Sequence, residues 1–384
     1  MNAFSRMAGL AVLFTFAATI ADAQQIGKSF PISSEANQAI TGINSESDPA
    51  QKLALIDKFA AGAGQGDAAI LANEQYVNYY LSQKQYDKAF EHGDKLFALD
   101  PENFQNAVNM VRAASEKGDA DKLLAYGEKA QNILTAYKTS AAPSGTAAEQ
   151  WEQQKTRTLE NNQDNIRYVQ QAVYGGAYQA ADPAKRADLL LQFAKIFPDS
   201  TYAVPALSVA ASSYQQAQNA PKMLEVANAV LAKDPNNLVM LLLVSDYYAE
   251  KGESLDKAAA YAQKAATQAD SAPRPDNVTE DQWKQQTALQ KGLALSTLGQ
   301  VNLQKKNNAQ AVQNFQAAAP LLKSNDASYA RNAYRLGFAF INLKKTPEAK
   351  AAFTDAASVN SPYKGPAQDK LKSLSAAPAK RRAS

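Results

Sequence analysis

The chain has 384 residues, 46% of them hydrophobic, with 40 Lys and Arg against 37 Asp and Glu, one histidine and no cysteine. That length suits two or three domains or one long array, and a net charge of +3 supplies no strong field for nucleic acid or a membrane surface. The histidine and cysteine counts exclude a disulfide framework, thiolate zinc sites, a cysteine nucleophile and multi-histidine metal centres.

Residues 1–23 predict a signal peptide. One Arg precedes a mostly apolar run over 7–20, and Ala21-Asp22-Ala23 places small residues around one spacer. The run is shorter than the ~20 residues a membrane span requires. The mature chain is therefore expected to begin near Gln24, with no lipid anchor and no integral membrane segment. Export is expected, to a periplasm in the first instance and to the medium in the second.

The phrase DPAQKLALIDKFA at 48–60 returns as DPAKRADLLLQFA at 182–194. Setting residue n against n + 134 aligns Phe59-Ala60 with Phe193-Ala194, Tyr80 with Tyr214, DPEN at 100–103 with DPNN at 234–237, and EKG at 116–118 with EKG at 250–252. One residue enters near Ser254, after which Ala130 meets Ala265 and EQWEQQ at 149–154 echoes DQWKQQ at 281–286. A register held that long points to internal duplication with a 134-residue period. The two segments led by DPA are expected as lone helices packed before each copy.

Within each copy, apolar residues recur at spacings of three and four, with breaks near every 15 residues. Over 70–103, one predicted helix runs through Tyr76, Val77 and Tyr80, and a break falls near Lys84-Gln85. A second helix runs through Ala89, Phe90 and Phe97 until Asp100-Pro101 stops it, since proline has no amide proton to donate and disfavours helix at the residue before it. The layout returns over 204–237 with Ala211, Tyr214, Leu231 and Pro235, and over 292–325 with Leu298-Gly299, Ala311, Phe315 and Ala318. It returns again over 330–363 with Leu336-Gly337, Phe340, Ala349, Phe353, Ala356 and Pro362. Units at 104–137 and 238–271 keep mainly Gly118, Gly252, Ala130 and Ala265. The polar runs 151–176 and 281–306 predict longer helices, each behind a Pro-bearing linker, 139–148 and 270–279. Strands find little support, because Ala, Gln, Lys and Leu dominate and all favour helix.

This pattern of Leu-Gly, an aromatic, Ala, Phe, Ala and Pro resembles the tetratricopeptide repeat (TPR) family over roughly 70–363, with Asn302 in place of one aromatic and Pro320 early. The resemblance implies an all-α, right-handed α-solenoid of TPR-like helix pairs whose first helices line a concave face. One helix pair cannot bury its apolar stripe alone, so neighbours stack. The expected division is a first array at 24–138, a linker and long helix at 139–180, and a second array at 181–271. A C-terminal pair with its leading long helix follows at 272–363. A basic tail, 364–384, is expected to be disordered beyond a short helix.

Candidates for chemistry are few. His92 lies on a second helix, where the resemblance implies a convex, surface position. The glycines of AAGAGQGDAA at 60–69 follow a helix and lack the GK[ST] ending of a phosphate loop, so they predict a connection. Asp and Glu side chains are spread over amphipathic helices as solvated faces. Tyr80 and Tyr248 are expected between helices as plugs, and Trp151 and Trp283 as caps on the preceding array or as a binding edge. Asn277-Val278-Thr279 matches a glycosylation triplet in a linker. The reading is of no enzyme and no cofactor.

The resemblance places groove positions on the first helix of each pair: Asn78, Arg112, Ser212, Asp246, Gln300, Arg331, Tyr334, Phe338 and Asn342. The last four are the most ligand-like, an Arg beside rigid aromatics being a common hot-spot pairing. Glu74 stands where a clamp for a terminal carboxylate would carry lysine. The expected function is an exported, non-catalytic scaffold that binds protein or peptide partners, not nucleic acid. The alternative is an envelope accessory that handles carbohydrate in a cleft between the two halves.

Overall fold

The structure is a computed structural model that describes residues 26–276 and 278–376. The expected signal peptide, Asn277 of the glycosylation triplet and the last eight residues of the tail lie outside the described residues. Among the described residues there are eighteen α-helices, one 3-10 turn and no strand. None of these helices is long and apolar enough to cross a membrane.

The chain forms two compact units, one ending at Gln179 and one beginning at Ala180. The first contains α1 (Ser34–Ser45), α2 (Pro49–Gly62), α3 (Asp67–Ser82), α4 (Tyr86–Leu99), α5 (Phe104–Lys117), α6 (Ala120–Thr139), α7 (Ala148–Asn161) and α8 (Gln163–Gln179). The second contains α9 (Pro183–Ile196), α10 (Ala203–Gln216), α11 (Ala220–Lys233), α12 (Leu238–Lys251) and α13 (Leu255–Ser271). It continues through α14 (Glu280–Gln304), α15 (Asn308–Ala318), the 3-10 turn Ala319–Leu322, α16 (Asp326–Asn342), α17 (Thr346–Ser358) and α18 (Lys364–Ala376).

Both DPA phrases start helices in the same way. Asp48 accepts from the Gln51 amide at 2.8 Å and Asp182 from the Lys185 amide at 2.6 Å, each ahead of a proline whose missing amide proton costs nothing there. At 100–103 and 234–237 the Asp-Pro dipeptide ends one helix and Asn caps the next. Asn103 accepts from the Asn106 amide at 2.9 Å and Asn237 from the Met240 amide at 3.2 Å.

Six helix pairs share one turn. In each, an amide beyond the first helix reaches back five residues: Gln85 to the Tyr80 carbonyl, Asp119 to Ala114, Asn219 to Tyr214, Glu253 to Tyr248, Asn307 to Asn302 and Lys345 to Phe340, at 2.8–3.0 Å. This bond requires a left-handed residue at the turn. Gly118 and Gly252 supply it at φ 74° and 70°, and Lys84, Gln218, Lys306 and Lys344 supply it at φ 55–62°. In four of the six the accepting residue is the aromatic plug, so one position both closes the turn and fills the gap between helices.

Small residues then let the pair close. Ala89, Ala130, Ala211, Ala265, Ala311 and Ala349 have no exposed surface. A Cβ at Gly337 would lie 2.6 Å from the Phe353 ring, and one at Gly299 would lie 2.5 Å from Phe315. Both rings are completely buried, each contributing about 1.5–3 kcal/mol by leaving water.

Two features differ from expectation, the break within 151–176 and an added first helix. The polar run at 151–176 is not one long helix. Asn162 divides α7 from α8, and both its backbone amide, at 3.1 Å, and its side-chain amide, at 2.9 Å, donate to the Thr158 carbonyl. By contrast α14 runs unbroken for 25 residues behind a Thr279–Gln282 capping box. The short helix expected in the tail is α18, which seats Ala367, Leu371 and Leu374 against the cluster of α16 and α17. A helix the sequence reading omits, α1, starts at Ser33, whose hydroxyl accepts from the Ala36 amide at 3.1 Å. Ahead of it, Ile26 is buried and its carbonyl accepts from the Phe104 amide at 3.0 Å, while the Lys28 amide donates to Asp100 at 3.1 Å.

Gly337→Ala is expected to destabilise the second unit by about 1–3 kcal/mol through overpacking against Phe353. Gly175→Ala in α8, where an added Cβ meets nothing within 4 Å, is expected to stabilise the first unit by about 0.5–1 kcal/mol. Denaturant titration of the two variants checks both signs.

Candidate functional site

The nine candidate residues all fall on first helices: Asn78 on α3, Arg112 on α5, Ser212 on α10, Asp246 on α12, Gln300 on α14, and Arg331, Tyr334, Phe338 and Asn342 on α16. In the second unit α10, α12, α14 and α16 touch in that order, which gives them a common face.

The face carries a polar belt that crosses α14. Arg331 Nη1 donates to Asp246 Oδ2 at 2.9 Å and stands 3.9 Å from Glu250 Oε1. Arg335, one helical turn on, pairs with Glu250. Thr297 of α14 lies under the belt, its hydroxyl 3.4 Å from Asp246 Oδ1. Asp246 and Arg331 each expose only about a fifth of their side chain. Burial pushes the Arg335 guanidinium below its usual value, and Asp246 opposes that. The buried Gln300 Oε1 and Arg335 Nη1 have no hydrogen-bond partner among the described residues. Glu250, Thr297 and Arg335 are absent from the sequence reading. Their signal was present: an acidic pair at i, i+4 on one helix matches a basic pair at i, i+4 on another.

The structure separates Arg331 from the aromatics expected beside it. Tyr334 packs on Phe338, Phe353 and Tyr363, with centroids 5.1, 5.6 and 5.5 Å away. Phe338 packs on Phe353 at 5.5 Å, and the Lys370 ammonium of α18 sits 5.2 Å above its ring. Both are half-buried, and their upper side is taken by α18. Asn342 is exposed and donates to Asn308 Oδ1 at 3.0 Å. Ser212 bonds its own helix at the Ser208 carbonyl.

In the first unit Asn78 is exposed, and Arg112 hydrogen-bonds Tyr168 of α8, whose phenol burial pushes up and Arg112 holds down. Glu74, set one turn before Asn78, accepts from Asn103 Nδ2 at 3.2 Å, and burial lifts its carboxyl above the usual range.

His92 departs from the surface position expected for it. It is half-buried between helices, stacked on Tyr76 at 4.1 Å and Tyr80 at 5.5 Å, with Nδ1 2.9 Å from Asn73 Oδ1. Tyr76 in turn donates to Asp57 at 2.7 Å. The position holds the α3–α4 pair together and places no nucleophile beside the ring. Tyr80 is a buried plug as expected, while Tyr248 is half-buried with Lys257 over its ring. Trp151 acts as a cap, donating Nε1 to the Ser140 carbonyl at 3.0 Å and packing edge-on against Tyr137. Among the described residues no group of three or more His, Asp or Glu is placed to hold a metal ion.

Among the described residues, four large apolar side chains stand out in solvent: Leu55, Tyr178, Val204 and Val239. Val204 and Val239, 43% and 44% exposed, are each the second residue of a first helix, α10 and α12. Neither is among the residues the sequence reading chose.

No family model matches the chain, and no curated protein sequence matches it. Solved structures that resemble it include the APC/C hetero-tetramer Cut9–Hcn1, at 10% identity and a TM-score of 0.43, covering 89% of this chain and 64% of that one. The P58(IPK) TPR domain follows at 11% identity and a TM-score of 0.31, covering 89% and 98%. Yeast Tom70 stands at 10% identity and a TM-score of 0.24, covering 89% and 94%. The chain thus spans under two thirds of the first of these.

Two outcomes test the geometry. Arg331→Ala and Asp246→Ala are each expected to cost the second unit about 1.5–3 kcal/mol. The double variant should cost less than the sum, by about 1 kcal/mol, in denaturant titration. Burial, and then Lys95, hold His92 below its ordinary 6.5, against Glu91 and Asp57, which raise it. The folded chain therefore binds that proton later than the unfolded chain. Stability from this position is complete above the ordinary value and is lost as pH falls below it. Melting temperature against pH should fall on the acid side, and His92→Gln should flatten that limb.

Proposed function

We propose that the chain is an exported, non-catalytic scaffold that holds protein or peptide partners on the first-helix face of its helix pairs. The observation that carries the reading is the matched exposure of Val204 and Val239. A helix of a stacked pair gains by burying such residues, and a pair of them at the same position on neighbouring first helices marks a surface that another chain can cover. The helices that carry this face are fixed by packing, with Gln300 and Arg335 buried beneath it. Recognition on such a preformed face costs little ordering of the scaffold itself.

Arg331 has a different role in this proposal from the one its sequence position suggests. Its charge is met by Asp246, so it shapes the face and holds the helices in register. Export rests on the Arg-led apolar run at 7–20 and the Ala-Asp-Ala that follows.

A photo-crosslinking residue placed at Val204 or Val239 and presented to envelope extract should yield a discrete protein adduct. The same residue at Glu225, exposed on the second helix α11, should yield none. Equal adducts at all three positions, or none at any, would sink the reading. A glycan-array signal without a protein adduct would favour carbohydrate handling. N-terminal sequencing of the exported chain should begin near Gln24, and a retained Met1 would remove the export assignment.

A further inference from the structure

We propose that α18 is an exchangeable ligand, and that the trough it fills on α16 and α17 is a docking site for a partner's amphipathic helix of the same pattern. This stands apart from the Val204 and Val239 face and does not depend on it.

The stripe that α18 and the residue ahead of it present is Tyr363, then Ala367, Lys370, Leu371 and Leu374, at helical spacings of four, three, one and three. Each member meets a specific feature. Tyr363 stacks on Tyr334 at 5.5 Å. Ala367 is fully buried, so only a small side chain fits there. Lys370 sits above the Phe338 ring at 5.2 Å. Leu371 and Leu374 lie against the cluster of Ala333, Phe340, Ala349, Phe353 and Ala356. The trough therefore selects an aromatic, a small residue four on, a lysine seven on, and leucines eight and eleven on.

The attachment of α18 is slight compared with that of its neighbours. Ala367 is the one buried residue among those of α18 whose burial is described, while α16 buries seven and α17 four. The first turn of α18 carries no acidic residue to complement the helix dipole, and Gly365 in that turn lowers its own helix propensity. A helix held by one small residue and two half-covered leucines opens at lower free energy than the pairs beneath it. When it opens, Tyr334 and Phe338 are exposed beside each other, two rigid aromatics of the kind that anchor helix-in-groove complexes.

The test uses the full chain and a labelled peptide of residues 361–376, SPYKGPAQDKLKSLSA. Ala367→Asp with Leu371→Asp in the chain should release α18 and leave α16 and α17 intact. By fluorescence anisotropy the peptide should bind this variant at least tenfold more tightly than the unaltered chain. Adding Phe338→Ala to the variant should abolish that binding, and Lys370→Ala in the peptide should weaken it severalfold. Equal binding to variant and unaltered chain overturns the proposal. So does concentration-dependent dimerisation of the variant in place of peptide binding, which would assign the trough to a second copy. Hydrogen exchange on the unaltered chain supplies a measure that needs no variant. Amides of α18 should exchange at least a hundredfold faster than those of α16, and equal protection would show a fixed cap. Loss of the crosslinks at Val204 and Val239 would leave all of these readouts untouched.

Discussion

One backbone hydrogen bond governs the architecture: the amide beyond each first helix returning to a carbonyl five residues back. It forces the chain to reverse within three residues, which fixes the partner helix antiparallel and at close range. In four of six pairs the carbonyl belongs to Tyr80, Tyr214, Tyr248 or Phe340, so the reversal and the packing plug are set by one residue. The cost is a residue in left-handed conformation at every turn, which falls on lysine, glutamine or glycine in these pairs. Lysine and glutamine take up that strain and keep a polar side chain in water, and the small alanines opposite are what make closure possible.

These marks are local, and that is why so much of the fold was legible in the amino acids. The break near Lys84-Gln85, the glycines at 118 and 252, the Asp-Pro stops and the buried alanines each act within one or two helical turns. What escaped was non-local or was decided by side-chain competition. Arg331 and Asp246 are 85 residues apart, and nothing in either neighbourhood names the other. Periodicity put Arg331, Tyr334 and Phe338 on one stripe, yet the stripe is shared between two neighbours: α12 takes the arginine and α18 takes the rings. A polar helix is interrupted at Asn162, whose side-chain amide shares the Thr158 carbonyl with its own backbone amide, an outcome that propensity alone does not weigh. His92 sat on the helix that was expected, but the stack with Tyr76 turns it inward.

The candidate site follows the same logic. The positions chosen from periodicity do lie on first helices, while packing decided which side chains remain available. Charged and aromatic residues are the ones with most to gain from a neighbour inside the chain, and here they found one. Among the exposed large apolar side chains are two valines at helix starts, unremarkable in sequence and conspicuous only once their neighbours are in place. The shielding of Tyr334 and Phe338 by α18 belongs to this pattern too, since an array must end somewhere and its last apolar stripe needs a cover.

A stack in which every helix pair leans only on the next behaves as a spring, soft in bending because each joint deforms on its own. The guanidinium bridge from α16 to α12 steps over the pair between them. It ties two joints together, so that flexing one must stretch a charged contact at the other. The second unit is thereby stiffened on the side where that bridge lies, and its compliance under load is directional, with the easy direction away from the bridge.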